Sequence, residues 1–284
     1  MAKHPRDLRS LLRIPPGGGP VRLKEHDSAG TPGGPGGKKQ ALAEIEETRA
    51  RLADLQERLF AQSVAGAPQR VLVVLQGMDT SGKGGTVKHV MAGLNPAGVR
   101  AHAFKSPTEE ERAHPFLWRI RKELPAAGEI GVFDRSHYED VLIVRVQDLV
   151  PRATWSRRYA TINRFEQSLA DEGCAVVKVF LHIGYEEQRE RLLARLDNPA
   201  KHWKFSPGDI EDRARWPAYQ EAYEIALERC STEAAPWYLV PADRKWYRNW
   251  AISRLLLEHL EQIGPAYPKA DFDVAQARAR LVET

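Results

Sequence analysis

The stretch VLVVLQGMDTSGKGGTVKHV, residues 71–90, decides the fold. Val71 to Leu75 is an unbroken β-branched and apolar run. An alternating strand would keep one wet face; this one is apolar on both, as in a parallel sheet covered by helices. The turn Gly77 to Thr86 follows, then a helix over Thr86 to Leu94 that Asn95-Pro96 stops. The turn matches the G-x-x-x-x-G-K core of a P-loop, in the strand–loop–helix context the motif requires. Gly77, Gly82, Gly84 and Gly85 let backbone N–H groups turn inward, with Met78, Thr80, Ser81 and Thr86 completing a cradle for phosphate. The helix N-terminus adds positive potential. Lys83 brings a mobile point charge to the terminal phosphates. The plainer alternative is a Gly-rich turn carrying a surface lysine.

Two positions depart from the usual pattern. Position 84 is Gly, where a Ser or Thr hydroxyl would normally meet Mg²⁺. Asp79 lies inside the loop, where a bare carboxylate should repel phosphate. Both make sense together if Asp79 helps hold the metal, so that the ion bridges acid and phosphate; an Asx contact that merely stabilises the turn is the alternative.

Outward from the loop, strands and helices alternate. Val99–Phe104, Ile130–Phe133, Val176–Leu181 and Trp237–Val240 read as strands. Glu109–Leu124, Trp155–Asp171, Glu186–Leu196 and Arg244–Ile263 read as helices. This pattern predicts a three-layer α/β/α sandwich with a parallel sheet. Before the loop, Leu42, Ile45, Leu52, Leu55 and Leu59 fall at helical spacing, giving an amphipathic helix that packs on the domain or, alternatively, forms a dimer contact. Residues 1–40 hold PPGGGP and AGTPGGPGGKK and read as a flexible tail. The kinase-like domain is expected over 41–270, and a short tail over 271–284.

Asp134, in GEIGVFDRSHYEDVLIVRV (128–146), follows a short apolar strand. It therefore falls at the carboxyl edge where open parallel sheets bind ligands. There it can serve a nucleotide-bound metal or accept a proton, and Arg135 can stabilise charge on a transferring phosphoryl group. Tyr138, Glu139 and Asp140 follow within a turn or two; a solvated charged patch is the alternative for the acids. Arg191 and Arg195 share a helix face, and Lys201 and Lys204 flank Trp203 beyond Pro199. Such cations suit a lid over phosphates, about 186–210, although Glu186, Glu187 and Glu190 can pair with some of them. In DRKWYRNW, Arg244 and Arg248 share one helix face and Trp246 and Trp250 another, the tryptophans being expected in the core.

Composition narrows the class. The chain has 284 residues, 42% hydrophobic and 28% charged, and a net charge of +4. No apolar run approaches the ~20 residues a membrane helix needs, and no secretory leader is evident. Two distant cysteines fit reduced thiols and a cytoplasmic location. Nine histidines without an HxxxH or HExxH pair argue against zinc, and no G-x-S-x-G points to a hydrolase.

GMDTSGKGGTVKHV, FKSPTEEERAHPFLWRIRKELP, GEIGVFDRSHYEDVLIVRV, HWKFSP and APWYLVPADRKWYRNW, in that order, resemble the polyphosphate kinase 2 family from about Ala41 to Pro268. The resemblance implies a thymidylate-kinase-like fold with a helical lid. It also implies Mg²⁺-dependent transfer between inorganic polyphosphate and a nucleoside mono- or diphosphate, AMP, ADP or GDP, with Mn²⁺ as a substitute ion. It places the family's loop acid and lysine on Asp79 and Lys83, its second acid–arginine pair on Asp134 and Arg135, and its lid arginines on Arg191 and Arg195. Many relatives that use both AMP and ADP have Asp at the position of Gly84, which leaves acceptor preference open. A polyanion donor needs a cationic groove rather than a base-reading pocket, so no nucleic acid or membrane partner is expected, and a homodimer or homotetramer is. An ATP-dependent nucleoside monophosphate kinase and a non-catalytic nucleotide- or polyphosphate-binding module are the rival readings.

Overall fold

The computed structural model describes residues 7–284. Five parallel strands form one sheet in the order β2-β3-β1-β4-β5: β1 (Arg70–Gln76), β2 (Val99–Ala103), β3 (Ile130–Asp134), β4 (Cys174–His182) and β5 (Trp237–Pro241). The helices, in chain order, are α1 (Leu8–Leu12), α2 (Lys38–Val64), α3 (Lys83–Val90), α4 (Glu109–Ala113), α5 (Trp118–Lys122), α6 (Ile143–Val146), α7 (Arg152–Asp171), α8 (Tyr185–Leu196), α9 (Gly208–Ala214), α10 (Trp216–Cys230), α11 (Lys245–Ile263) and α12 (Val274–Val282). No helix among the described residues is long and apolar enough to cross a membrane.

The central strand is β1, and its alternation sorts the two cores. Val71, Val73 and Leu75 face one layer with α2, α3 and α11; Leu72 and Val74 face the other with α7 and α10. Helix α2 turns Ile45, Leu52, Leu55 and Leu59 into the first core, so this helix packs on the domain, while Leu42 stays exposed. Both cysteines are free and buried.

Two expectations are corrected. The helix expected over Glu109–Leu124 is two short helices. Thr108 and Glu111 cap α4 reciprocally, and the chain then runs extended at His114, because the following Pro115 disfavours helical backbone there. The flexible tail expected over 1–40 is docked at spaced anchor points, its first six residues lying outside the described ones. Leu8, Leu12, Ile14 and Leu23 are buried. The Ile14 N–H donates to Trp237 O at 2.8 Å, the Ser28 hydroxyl to Asp243 Oδ2 at 2.7 Å and the Tyr247 hydroxyl to Pro32 O at 2.7 Å. Widely spaced apolar anchors and main-chain hydrogen bonds hold this strap; its Gly and Pro residues make turns rather than disorder. At the other end, α12 has no buried residue.

Behind β3 lies a polar network that anchors the segment following Asp134. Glu166 and Lys178 pair at zero side-chain exposure. Glu166 Oε1 accepts from the Tyr138 hydroxyl at 2.8 Å and lies 3.0 Å from His137 Nε2, and Lys178 also donates to Cys230 O at 2.6 Å. Removing one partner leaves a buried charge, so Lys178→Met is expected to cost about 3–5 kcal/mol in urea unfolding. Adding Glu166→Leu should recover part of it; additive losses would contradict the pairing.

Candidate active site

Strand β1 delivers the loop to the carboxyl edge of the sheet, between β3 and β4. What shapes the loop is the capture of its carbonyls, by Lys83 within the motif and by Gln188, Arg191 and Arg248 from elsewhere in the chain. Lys83 Nζ donates to Gly77 O at 2.8 Å and Met78 O at 3.3 Å. Gln188 Nε2 donates to Asp79 O at 3.3 Å. Arg191 Nη1 donates to Thr80 O at 2.9 Å and Ser81 O at 3.3 Å, and Arg248 Nη1 to Ser81 O at 3.1 Å. Carbonyls from Gly77 to Ser81 are thus all engaged, which frees the opposite face of the peptide units for an anion. Thr80 holds φ +64° and Gly82 φ +109°, left-handed backbone that in a non-glycine residue concentrates at functional sites. The Thr80, Ser81 and Thr86 hydroxyls are buried with no hydrogen-bond partner among the described residues. Three unsatisfied hydroxyls around one loop are what an absent oxyanion would leave.

The acids behave differently from one another. Asp79 Oδ1 accepts from Arg135 Nη2 at 2.9 Å. Burial pushes its carboxyl pKa up, but the charges of Lys83 and Arg135 outweigh that and hold it below the ordinary carboxylate value. Its stabilising contribution is complete above that ordinary value and fades only as pH falls through the lowered one, so it is anionic throughout the neutral range. Asp134 ends β3, and its side chain makes no hydrogen bond or ion pair with the described residues. Its Oδ2 lies 3.5 Å from where a Cβ on Gly84 would stand. The space left by the absent hydroxyl therefore faces Asp134, whereas Asp79 offers only the oxygen that Arg135 leaves free. Among the described residues no three His, Cys, Asp or Glu side chains converge as a metal cage. One or two carboxylates with the remaining ligands from phosphate and water is the donor set Mg²⁺ prefers, so the residues fit the ion.

Arg135 also carries left-handed backbone, φ +64°, with its N–H on Leu75 O at 3.1 Å. That kink aims its half-exposed guanidinium across the loop at Asp79. Beside the pair is a cavity of about 30 Å³ lined by Gly77, Asp79, Arg135, Glu139, Tyr219 and Tyr223, among others. Burial pushes the Glu139 carboxyl up, against the opposing pull of Arg135 and Lys83.

Two expected ligand contacts are corrected. Arg191 is not a lid residue facing phosphate: its Nε donates to Glu187 at 2.6 Å and its Nη2 to Ala242 O and Asp243 O at 2.8 and 2.6 Å. With the two loop carbonyls, all five guanidinium N–H groups are engaged, so it braces the loop from behind. Tyr138 has no exposed surface and belongs to the Glu166–Lys178 network. Arg195 stays near the site, half-buried, donating to Lys204 O at 2.9 Å; Lys204 is exposed on a 3₁₀ turn, Pro199–Lys204. Sequence reasoning left out Gln188, Tyr219 and Tyr223, and gave Arg248 and Glu139 no place in the loop. Arg248 could have been found, since its helical register sets it apart from the tryptophans of the same helix; the tyrosines carried no local signal.

A P-loop at the carboxyl end of the central strand, with an acid–arginine pair on the adjacent strand, defines a P-loop kinase-like enzyme. The chain belongs to the polyphosphate kinase 2 family: residues 37–267 match the family model described as Polyphosphate kinase 2 (PPK2). It is 50% identical to the AMP/ADP-polyphosphate phosphotransferase of Meiothermus ruber, over 89% of this chain and 93% of that protein. It is 43% identical to the ADP-polyphosphate phosphotransferase of Rhodopseudomonas palustris, over 81% and 83%. The crystal structure of polyphosphate kinase 2 from Arthrobacter aurescens TC1 superposes with a TM-score of 0.95 at 50% identity, covering 100% of this chain and 99% of that one.

Proposed function

We propose that this protein transfers the terminal phosphoryl group of inorganic polyphosphate to AMP or ADP, and runs the reverse reaction, with GDP as a further candidate acceptor. The observation that carries the proposal is the loop whose carbonyls are all engaged by side chains while Asp134, without a hydrogen-bond partner among the described residues, faces Gly84. A phosphoanhydride chain already contains its leaving group, so positioning and charge neutralisation are what remain for the protein to supply.

In this reading the loop N–H groups and the Thr80, Ser81 and Thr86 hydroxyls hold the phosphate entering between β1 and α3. Lys83 leaves its two carbonyls for the bridging and terminal oxygens. Asp134, and the free oxygen of Asp79, would hold Mg²⁺ or Mn²⁺, whose charge would screen that of the phosphates. Arg135, fixed by Asp79, stabilises charge on the transferring group. Arg195, Lys201, Lys204 and Arg244 supply a cationic path for the rest of the chain. A homo-oligomer is part of the proposal.

A nucleoside monophosphate kinase would share this cradle but take ATP as donor. Following ³¹P signals with polyphosphate or ATP as donor and AMP, ADP or GDP as acceptor separates the two. The expected result is consumption of polyphosphate with AMP or ADP. Turnover only with ATP would establish the rival, and tight binding without turnover a regulatory module.

A further inference from the structure

The residue least explained by the site as described is Arg248, on the first turns of α11. It is 3% exposed and forms no ion pair with a carboxylate among the described residues. Its Nε and Nη2 reach only the neutral amide oxygen of Asn249, at 3.2 and 2.9 Å, and its Nη1 the carbonyl of Ser81. Another cation, Arg191, donates to that same carbonyl. Burial first, and Arg191 second, push its pKa down to about 10, so it still carries its charge at neutral pH. A buried charge without a counter-ion is costly, and among the described residues this one is met only by neutral oxygens, those of Asn249 and Ser81.

Its contact with the loop is also unusually close. A Cβ on Gly82 would fall 1.7 Å from Arg248 Nη1, and one on Gly85 3.3 Å from Nη2. Glycines at 82 and 85 therefore do more than permit the turn: they let a guanidinium lie directly against the backbone where the loop becomes α3.

We propose that Arg248 is a positioning residue for phosphoryl transfer, holding the Ser81 carbonyl away from the cradle while its unneutralised charge leaves the bound phosphate chain as its counter-ion. The residue acts through the loop backbone and not by contact with the reacting atoms. The proposal rests on the phosphotransferase reading for its kinetic consequence, but its binding consequence stands apart from that reading. The empty protein carries an electrostatic cost at α11 that a polyanion relieves, so part of the protein's affinity for phosphate is set by a side chain behind the loop.

The test compares wild type with Arg248→Met, which keeps length and removes charge, and Arg248→Lys, which keeps charge and loses the fork. Melting temperatures are measured with and without tripolyphosphate, and kcat and KM are measured where turnover is present. For Arg248→Met, the ligand-free melting temperature should be equal or higher, and the tripolyphosphate-induced rise should fall to half or less. Its kcat should drop about 10- to 100-fold, the scale of a misplaced loop, while the acceptor KM stays within about threefold. Arg248→Lys should keep most of the tripolyphosphate-induced rise yet lose kcat, and it carries the test if the methionine variant does not fold. A full rise together with normal kcat in Arg248→Met would overturn the proposal. So would a lowered ligand-free melting temperature with the rise and kcat intact, which would mark a purely structural role. If wild type binds tripolyphosphate but transfers nothing, the functional reading fails while the melting comparison still decides the role of Arg248.

Discussion

Lys83→Ala is expected to lower kcat at least ~100-fold, the scale of one lost preorganised transition-state donor. Lys83 is 8% exposed, and its Nζ now satisfies the carbonyls of Gly77 and Met78. Both are neutral acceptors, and a phosphate oxygen competes with them for the ammonium through a charge-assisted hydrogen bond. The substitution therefore removes the charge proposed to meet the phosphate, and leaves the Gly77 carbonyl without its donor, while Met78 O keeps the Ser81 N–H. Steady-state kcat for ATP formation, read beside the melting temperature, separates lost chemistry from lost folding. Near-normal turnover would remove the P-loop from the mechanism.

Asp134→Asn carries the second large effect. The side chain makes no hydrogen bond or ion pair with the described residues that an isosteric amide would break, so stability should hold while the proposed metal site loses a charge. The Mg²⁺ concentration for half-maximal activity is expected to rise at least ~10-fold, the range seen when a metal site is weakened, and excess Mg²⁺ should restore much of the rate. A metal titration of both proteins checks this. A rate loss with an unaltered Mg²⁺ dependence would assign Asp134 to proton acceptance instead.

How much of this was legible in the sequence depended on how local each cause was. β1 was readable because burial on both faces demands an unbroken apolar run, and the loop because its glycines and lysine are tied to backbone geometry within ten residues. Helical spacing placed Arg191 and Arg195 on one face correctly, yet spacing does not say what a face meets. Arg191 meets carbonyls 111 and 51 positions away in the chain, and they take donors that the sequence offered to phosphate. Tyr138 looked available beside Asp134-Arg135; the Glu166 and Lys178 that bury it come from α7 and β4. The strap before α2 was misread for a similar reason. Its anchors are single apolar residues and main-chain hydrogen bonds, which composition dominated by Gly and Pro conceals. Arg248 stood in view as a basic residue on a helix face, but its meaning comes from Gly82 and Gly85 having no side chain to keep it away. The missing hydroxyl at Gly84 turned attention to Asp79 in the loop, whereas the acid facing Gly84 is Asp134, from the neighbouring strand.

If the cradle takes a phosphoryl group from polyphosphate and gives it to a nucleotide, ATP should form from ADP, Mg²⁺ and nucleotide-free polyphosphate, with AMP run in parallel as acceptor. The expected ATP rises with protein, matches the polyphosphate consumed, and disappears when polyphosphate is withheld. No polyphosphate-dependent ATP, from ADP or by way of AMP, would contradict that transfer.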